Sequence, residues 1–367
     1  MTLLRNEGDL LPLDTSSTKL AFIGPLADAT QGLLSTYQGA NTLVNNHSAL
    51  QAAAALGLDV TFERGHSTNI NDPNRSYIPP AVAAAKAADT AVLFLGLSTL
   101  GKACEGEEHD RGATTLPGAQ EPLLEAVLRV QPKTVVVLIG GGSLSVEVAR
   151  HCEQCAVLYA YYPGELGGDA MINTIVGSNN PSGRLPYTLY PSNMTTHRKI
   201  NDYDLRSYDG LTYKWYTGKI SGPALWEFGA GFSFTNFNFT WSNQEEGAIQ
   251  TLLTTQASMQ LAWKVVVTNT GKRAGTVAVL AFVEGGDGVK TPLRSLVGFD
   301  KLSLRPGQSQ TVTIQTTIGA AFSVVEKTGR RVMRADERVI AIGEHGNSAR
   351  RGVHIVGPDV IMTLDES

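Results

Sequence analysis

Two textures of hydrophobic patterning divide the chain. Up to about Tyr190, short apolar runs alternate with stretches of helical period. Leu20 to Ile23, Thr90 to Leu95, Thr134 to Ile139 and Val157 to Ala160 are continuous apolar segments, as expected of strands covered on both faces. Between them lie helical stretches. Ser48 to Leu56 is alanine-rich and stops at Gly57, and Pro79-Pro80 opens a second alanine-rich helix through Ala88, where a missing N–H does no harm. Glu121 to Val130 sets Leu123, Leu124, Val127 and Leu128 on one face, and Leu166 to Val176 is closed by Gly177. This order predicts a three-layer α/β/α sandwich with a mostly parallel sheet.

After Pro191 the texture changes. His197 to Phe237 is rich in aromatic residues, glycine and polar residues and has no clear period. From Gln260 onward the chain alternates: Leu261, Trp263, Val265 and Val267 face one way, and Asn269-Thr270-Gly271 follows as a turn. Thr276 to Val283, Ser309 to Ile314 and Val339 to Ile342 repeat the habit, with Arg305-Pro306-Gly307 as another turn. Short alternating strands with turn signals between them predict an all-β sandwich. The boundary is expected between about Phe237 and Thr251, with no fixed-period repeat or low-complexity tract on either side.

The 367 residues suffice for two cores, and 42% hydrophobic against 17% charged residues suits them. A net charge of −4 gives no electrostatic case for nucleic acid or an anionic membrane surface. No apolar run approaches the roughly 20 residues needed to cross a bilayer. Met1 to Gly8 lacks the basic and apolar regions of a signal peptide. Three cysteines, Cys104, Cys152 and Cys155, argue against a disulfide framework. Cys152-x-x-Cys155 without a second pair is a structural or incidental feature more readily than a zinc site. Sequons at Asn46, Asn74, Asn193 and Asn238 fit a secreted glycoprotein, an organelle being the alternative. Gly140-Gly141-Gly142-Ser143 lacks the lysine and spacing of a phosphate cradle and reads as a tight turn.

Several ordered motifs carry a family resemblance. Leu3-Leu4-Arg5-Asn6-Glu7-Gly8 with Leu11-Pro12-Leu13, then Phe22-Ile23-Gly24-Pro25 and Tyr37-Gln38-Gly39, resemble the entry to the second domain of family 3 glycoside hydrolases. Tyr162 to Gly168, Asn180 to Pro186, Thr212 to Tyr216 and Phe228 to Thr235 are similar to that domain's later motifs. Leu296 to Phe299 and Leu304 to Gly307 resemble the fibronectin type III-like domain that ends many members. The resemblance implies residues 1–18 as the remnant of an interdomain linker, 19–240 as the C-terminal α/β sandwich domain, and 250–367 as the immunoglobulin/fibronectin III-like sandwich. It implies no cofactor and no metal.

Candidate chemistry sits in Cys104-Glu105-Gly106-Glu107-Glu108-His109-Asp110-Arg111, beyond the carboxyl end of a parallel strand, where open α/β sheets place ligands. Glycoside hydrolysis needs two carboxyl groups, one of which keeps its proton near neutral pH. Crowded carboxylates favour that, although from charge alone a solvated acidic loop is the preferred reading. The resemblance to β-xylosidases, and then to β-glucosidases, extends through this loop and Leu116-Pro117-Gly118-Ala119-Gln120. It implies Glu107 as general acid/base, with Glu105 the second candidate. Glu108, Asp110 and Arg111 are the candidate substrate-binding neighbours, and Asp110 and Arg111 also brace the loop as a carboxylate–guanidinium pair. His109 reads as a surface residue.

The family's nucleophile is an aspartate on an N-terminal barrel, which would precede Thr2, so these residues alone are not expected to complete the reaction. Three functions follow. The first is a β-glycosidase half acting on a β-linked glycoside or xylo-oligosaccharide with a barrel on a separate chain or in a larger assembly. The second is a non-catalytic structural or interaction subunit. The third is a carbohydrate-binding module using the acidic loop and the aromatic residues near Tyr213, Trp215 and Tyr216.

Overall fold

The computed structural model describes residues 1–16, 18–35, 46–98, 106, 111–242 and 249–362. The chain divides into two compact units, the first comprising 1–184, 189–197 and 224–226, and the second the remainder. The segment 198–223, expected within the first domain, groups with the second unit instead. A stretch without a period carries no sign of which core will take it.

In the first unit the described strands are β1 (Thr2–Asn6), β2 (Leu20–Ile23), β3 (Val60–Glu63), β4 (Thr90–Gly96), β5 (Thr134–Ile139) and β6 (Cys155–Tyr161). They form one sheet in the order β1-β6-β5-β4-β2-β3. All neighbours are parallel except β1, which runs antiparallel to β6. The helices between them are α1 (Ala49–Ala55), α2 (Ile78–Ala87), α3 (Gln120–Leu128), α4 (Glu147–Arg150) and α5 (Gly167–Ile175). Helix α1 packs on α5 and α2 on α3. Every residue of β2, β4 and β5 is buried, which accounts for the unbroken apolar runs. Phe22 and Phe94 meet across β2 and β4 with ring centroids 5.1 Å apart.

Within residues 1–18, expected as a linker remnant, Thr2–Asn6 forms an edge strand of the sheet. Leu3 and Leu4 are buried, and the Arg5 guanidinium donates to the carbonyls of Arg150 and Cys152 at 2.9 and 2.7 Å. The Asn6 amide both donates to and accepts from the Leu11 backbone at 2.8 Å, and the Trp226 indole donates to Leu4 O at 3.0 Å. The first motif of the chain therefore closes a sheet edge, where unpaired backbone groups would otherwise remain. Cys152 and Cys155 are joined as a disulfide with Cα atoms 5.8 Å apart, a local bridge that the odd cysteine count did not announce. Among the described residues no cluster of three or more His, Cys, Asp or Glu side chains is placed to hold a metal ion.

The second unit is all-β apart from short helical turns. Its described strands are β7 (Phe237–Trp241), β8 (Gln250–Leu253), β9 (Gln260–Asn269), β10 (Gly275–Glu284), β11 (Arg294–Leu304), β12 (Ser309–Thr317), β13 (Val324–Val325), β14 (Arg331–Met333), β15 (Asp336–Glu344), β16 (Asn347–Val356) and β17 (Val360–Ile361). They form sheets in the orders β11-β10-β15-β16-β8, β12-β9-β7 and β13-β14-β17. The alternation seen in the sequence is the alternation of burial. Leu261, Trp263, Val265 and Val267 of β9 join Val277, Val279, Ala281 and Val283 of β10 in one core, while the residues between them turn outward.

Candidate functional site

The strand order of the first unit reverses between β2 and β4: β3 lies on one side of β2, and β4, β5 and β6 follow on the other. Outside the carboxyl ends of strands at such a reversal, open α/β sheets have their ligand crevice. In the sequence the acidic segment comes after β4, which ends at Gly96. Glu105, Glu107, Glu108 and Asp110, with Cys104 and His109, lie outside the described residues. Arg111 is described, and so is the framework that receives it.

Arg111 spans from the acidic segment to the turn after β5, its Nη2 donating to Ser143 O at 2.7 Å. Its Nη1 is buried and has no hydrogen-bond partner among the described residues. The turn Gly140 to Ser143 is thereby a receptor for the guanidinium, not a phosphate cradle. Three residues further on, Thr114 is tied to the same turn. Its hydroxyl shares a 2.7 Å hydrogen bond with that of Ser145, and its carbonyl accepts from the Ser145 N–H at 2.8 Å.

The Leu116-Pro117-Gly118-Ala119-Gln120 motif fixes the other end of the segment. Gln120 is fully buried, and its side-chain amide accepts from Gly96 N at 2.8 Å and donates to Gly96 O at 2.9 Å and Pro117 O at 3.2 Å. One side chain thus satisfies both backbone groups of the last residue of β4, where the ladder ends. Gly118 has φ +62°, and a Cβ there would lie 2.6 Å from Ile70 O and 2.7 Å from Asp72 O, so only glycine fits. Beside it, buried His66 accepts from Ala119 N at 3.1 Å through Nε2, with Nδ1 3.1 Å from Ser67 O. This motif ties the end of β4 to the start of α3.

Carboxylates missed in the sequence stand near the same rim. Glu121, in the first turn of α3, is pushed above the ordinary carboxyl value by partial burial and by the charges of Glu147 and Glu125. At the N-termini of α1 and α5, His47 Nδ1 lies 3.2 Å from Asp169 Oδ1. Ser48 Oγ donates to Asp28 Oδ1 at 3.2 Å while capping α1. None of these stands in a charge run, so no local pattern marked them. The aromatic residues proposed for stacking are placed differently. Trp215 and Tyr216 are buried in the second unit, the Arg206 guanidinium covers Trp215 at 4.2 Å, and Tyr213 stacks on Phe228 at 4.5 Å. The two buried rings present no open face for a sugar.

A mostly parallel sheet with its strand order reversing between β2 and β4, followed by an all-β sandwich, defines a two-part α/β and β protein. Residues 1–234 match the glycosyl hydrolase family 3 C-terminal domain, and 278–346 match the fibronectin type III-like domain. The chain belongs to glycoside hydrolase family 3. A probable exo-1,4-β-xylosidase of Aspergillus oryzae is 32% identical over 342 residues, covering 89% of this chain and 41% of that protein. A second, from Aspergillus terreus, is 34% identical over 349 residues, covering 90% of this chain and 42% of its own length. Among solved structures, a family 3 exo-β-xylosidase in complex with a xylobiose aziridine probe superposes with a TM-score of 0.85 at 28% identity. It covers 98% of this chain and 47% of its own. A family 3 β-glucosidase of Bifidobacterium adolescentis gives a TM-score of 0.77 at 25% identity, covering 100% of this chain and 54% of its own. The chain spans about half the length of the relatives it matches.

Proposed function

We propose that this chain is the C-terminal half of a retaining β-glycosidase of the exo-β-xylosidase type, acting on β-linked xylo-oligosaccharides. Its part is to supply the general acid/base, Glu107 in preference to Glu105, to an active site whose nucleophile stands on a barrel outside these residues. The observation that carries the reading is the hydrogen bonding of the described residues that flank the acidic segment at the β2–β4 reversal. Gln120 closes the strand from which the segment departs, and Arg111 and Thr114 hold its far end to the turn after β5. Proton transfer to a leaving oxygen requires a carboxyl at a fixed position, and flanking residues bonded into the framework in this way support the reading. Glu108, Asp110 and Arg111 are proposed for the substrate hydroxyls, and the bond from Arg111 to Ser143 O gives that guanidinium a fixed direction.

The compartment belongs to the same proposal. Asn74, Asn193 and Asn238 are exposed, which supports a secreted glycoprotein, and no described helix is long and apolar enough to cross a membrane.

The test is purification of the native protein from its source, with its mass and composition, and hydrolysis of aryl β-xyloside and β-glucoside. A barrel must be present, on the same or a partner chain. Glu107→Gln should lower xyloside turnover by about 10²–10⁴-fold, and Glu105→Gln by much less. A native particle without a barrel and without turnover ends the catalytic reading. Full activity in both variants ends the assignment to this segment.

A further inference from the structure

Over the outer face of the β10–β15–β16 ladder of the second unit lies a cavity of about 290 Å³. Its origin is in strand alternation. Ile340 and Ile342 of β15 turn into the core, so Ala341 and Gly343 point the other way, opposite Phe282 and Leu280 of β10. These two residues leave room where an ordinary outer face would carry larger side chains. Gly343 cannot be enlarged, since a Cβ there would fall inside contact distance of the Asn347 carbonyl and the Ser348 backbone.

The rim is charged and internally matched. Arg350 pairs with Glu284 at 2.6 Å, and Arg294 pairs with Glu227 at 2.9 Å while donating to Phe228 O at 3.1 Å. His345 lies 3.3 Å from Glu227, and the Arg294 guanidinium stands 4.9 Å over the Phe282 ring. With each guanidinium already beside a carboxylate, an ionic ligand would have to break a pair to enter. A neutral ligand rich in hydroxyls would not, because paired guanidinium and carboxylate groups keep further donors and acceptors in fixed directions. In the floor Phe282 and Ala341 are buried, and the half-buried Leu280 side chain is the part that suits the C–H face of a compact ring. The cavity stands at the small end of ligand sites, which run from about 300 Å³.

We infer that this cavity binds a single neutral pyranose ring, making a second carbohydrate site on the fibronectin-like unit. The ring's apolar face lies on the half-buried Leu280 side chain, and its hydroxyls meet Arg350, Glu284 and Arg294. The site needs nothing from the acidic segment and stands independently of the proposed catalysis.

The test is calorimetric and NMR titration of the whole chain with methyl β-D-xylopyranoside and methyl β-D-glucopyranoside. Saturable binding is expected with a dissociation constant of about 1 mM, a usual strength for so small a ligand. The double variant Arg350→Met/Glu284→Gln removes the pair without stranding a charge and should weaken binding at least tenfold. Glu107→Gln should leave it unchanged. Should the double variant not fold, Ala341→Leu fills the hollow and should abolish binding. Absence of saturable binding in the native chain overturns the inference, as does binding undiminished in a folded cavity variant or lost in Glu107→Gln. Neither result bears on glycoside turnover, which is measured with the barrel present.

Discussion

Phe94 in β4 and Phe299 in β11 are both phenylalanines on strands, yet the first has no exposed surface and the second is 74% exposed. The difference runs through their units. In the parallel sheet both faces are covered by helices, so each strand side chain must pack and each strand end must have its backbone groups met inside the protein. Gln120 and Gln131 do this. Gln131 donates to Ala85 O at 3.1 Å and Ala88 O at 2.7 Å, at the end of α2. In the sandwich the inner faces form the core, and outer positions carry charge in places, as at Glu284, Arg294 and Arg350. Rigid anchoring of a loop comes readily from the first arrangement, and a polar cavity on an open face from the second.

The largest expected effect breaks this contrast at its core. Phe94→Ala should cost about 4 kcal/mol through lost burial and the void left behind, whereas Phe299→Ala should change stability by less than about 0.5 kcal/mol. Denaturant titration of both variants measures the gap, and equal losses would mean that the outer face of β11 is covered.

Next comes Gln120→Ala, expected to cost about 3 kcal/mol by stranding the N–H and carbonyl of Gly96. The same denaturant series checks this value, and amide exchange at Gly96 and Leu97 should rise with it. An effect below about 1 kcal/mol would show that water replaces the amide and that the acidic segment is less firmly anchored than argued.

The smallest effect sharpens the comparison by sign. Glu121 in the first unit is held above the ordinary carboxyl value of 4.5 by burial and by Glu147 and Glu125. Glu227 in the second is held below the same value, first by its hydrogen bond with His345 and then by the charge of Arg294, against the opposing effect of burial. A raised group binds its proton more tightly folded than unfolded, so ionised Glu121 opposes folding at neutral pH and stops doing so below about 4.5. A depressed group contributes stability above about 4.5, and that contribution is lost as pH falls through its lower folded value. Glu121→Gln should therefore stabilise at pH 7 and Glu227→Gln destabilise. Each effect should be about half a kcal/mol or less, because both carboxyls are partly exposed and screened, and both should fade toward pH 3. Melting curves from pH 3 to 7 decide this, and shifts of like sign in the two variants would contradict it.

Much of the fold was open to reading because its signals are local. β2, β5 and β9 begin at the predicted residues, since an apolar run or a strict alternation reports burial of the strand that carries it. β11 escaped because its first residues are half-buried on both faces and show neither pattern. β1 escaped because Leu3 and Leu4 are only two apolar residues, and their strand has meaning only beside β6. In the acidic segment the crowding of carboxylates was legible, but Glu121, His47 and Asp169 were not, being isolated charges in three separate elements.

The residues by themselves determined which segments become strands and helices and, through ordered motifs, the family whose pattern they share. Only tertiary structure decided which distant groups meet. The Trp226 indole caps Leu4 across 222 positions of chain, Arg5 reaches the carbonyls of Arg150 and Cys152, and Ala341 and Gly343 become a cavity floor only where β10 lies beside them. The physical reason is that periodicity measures the exposure of a segment against its own neighbours. A hydrogen bond or a cavity depends instead on the register between segments, and no single stretch of sequence encodes that register.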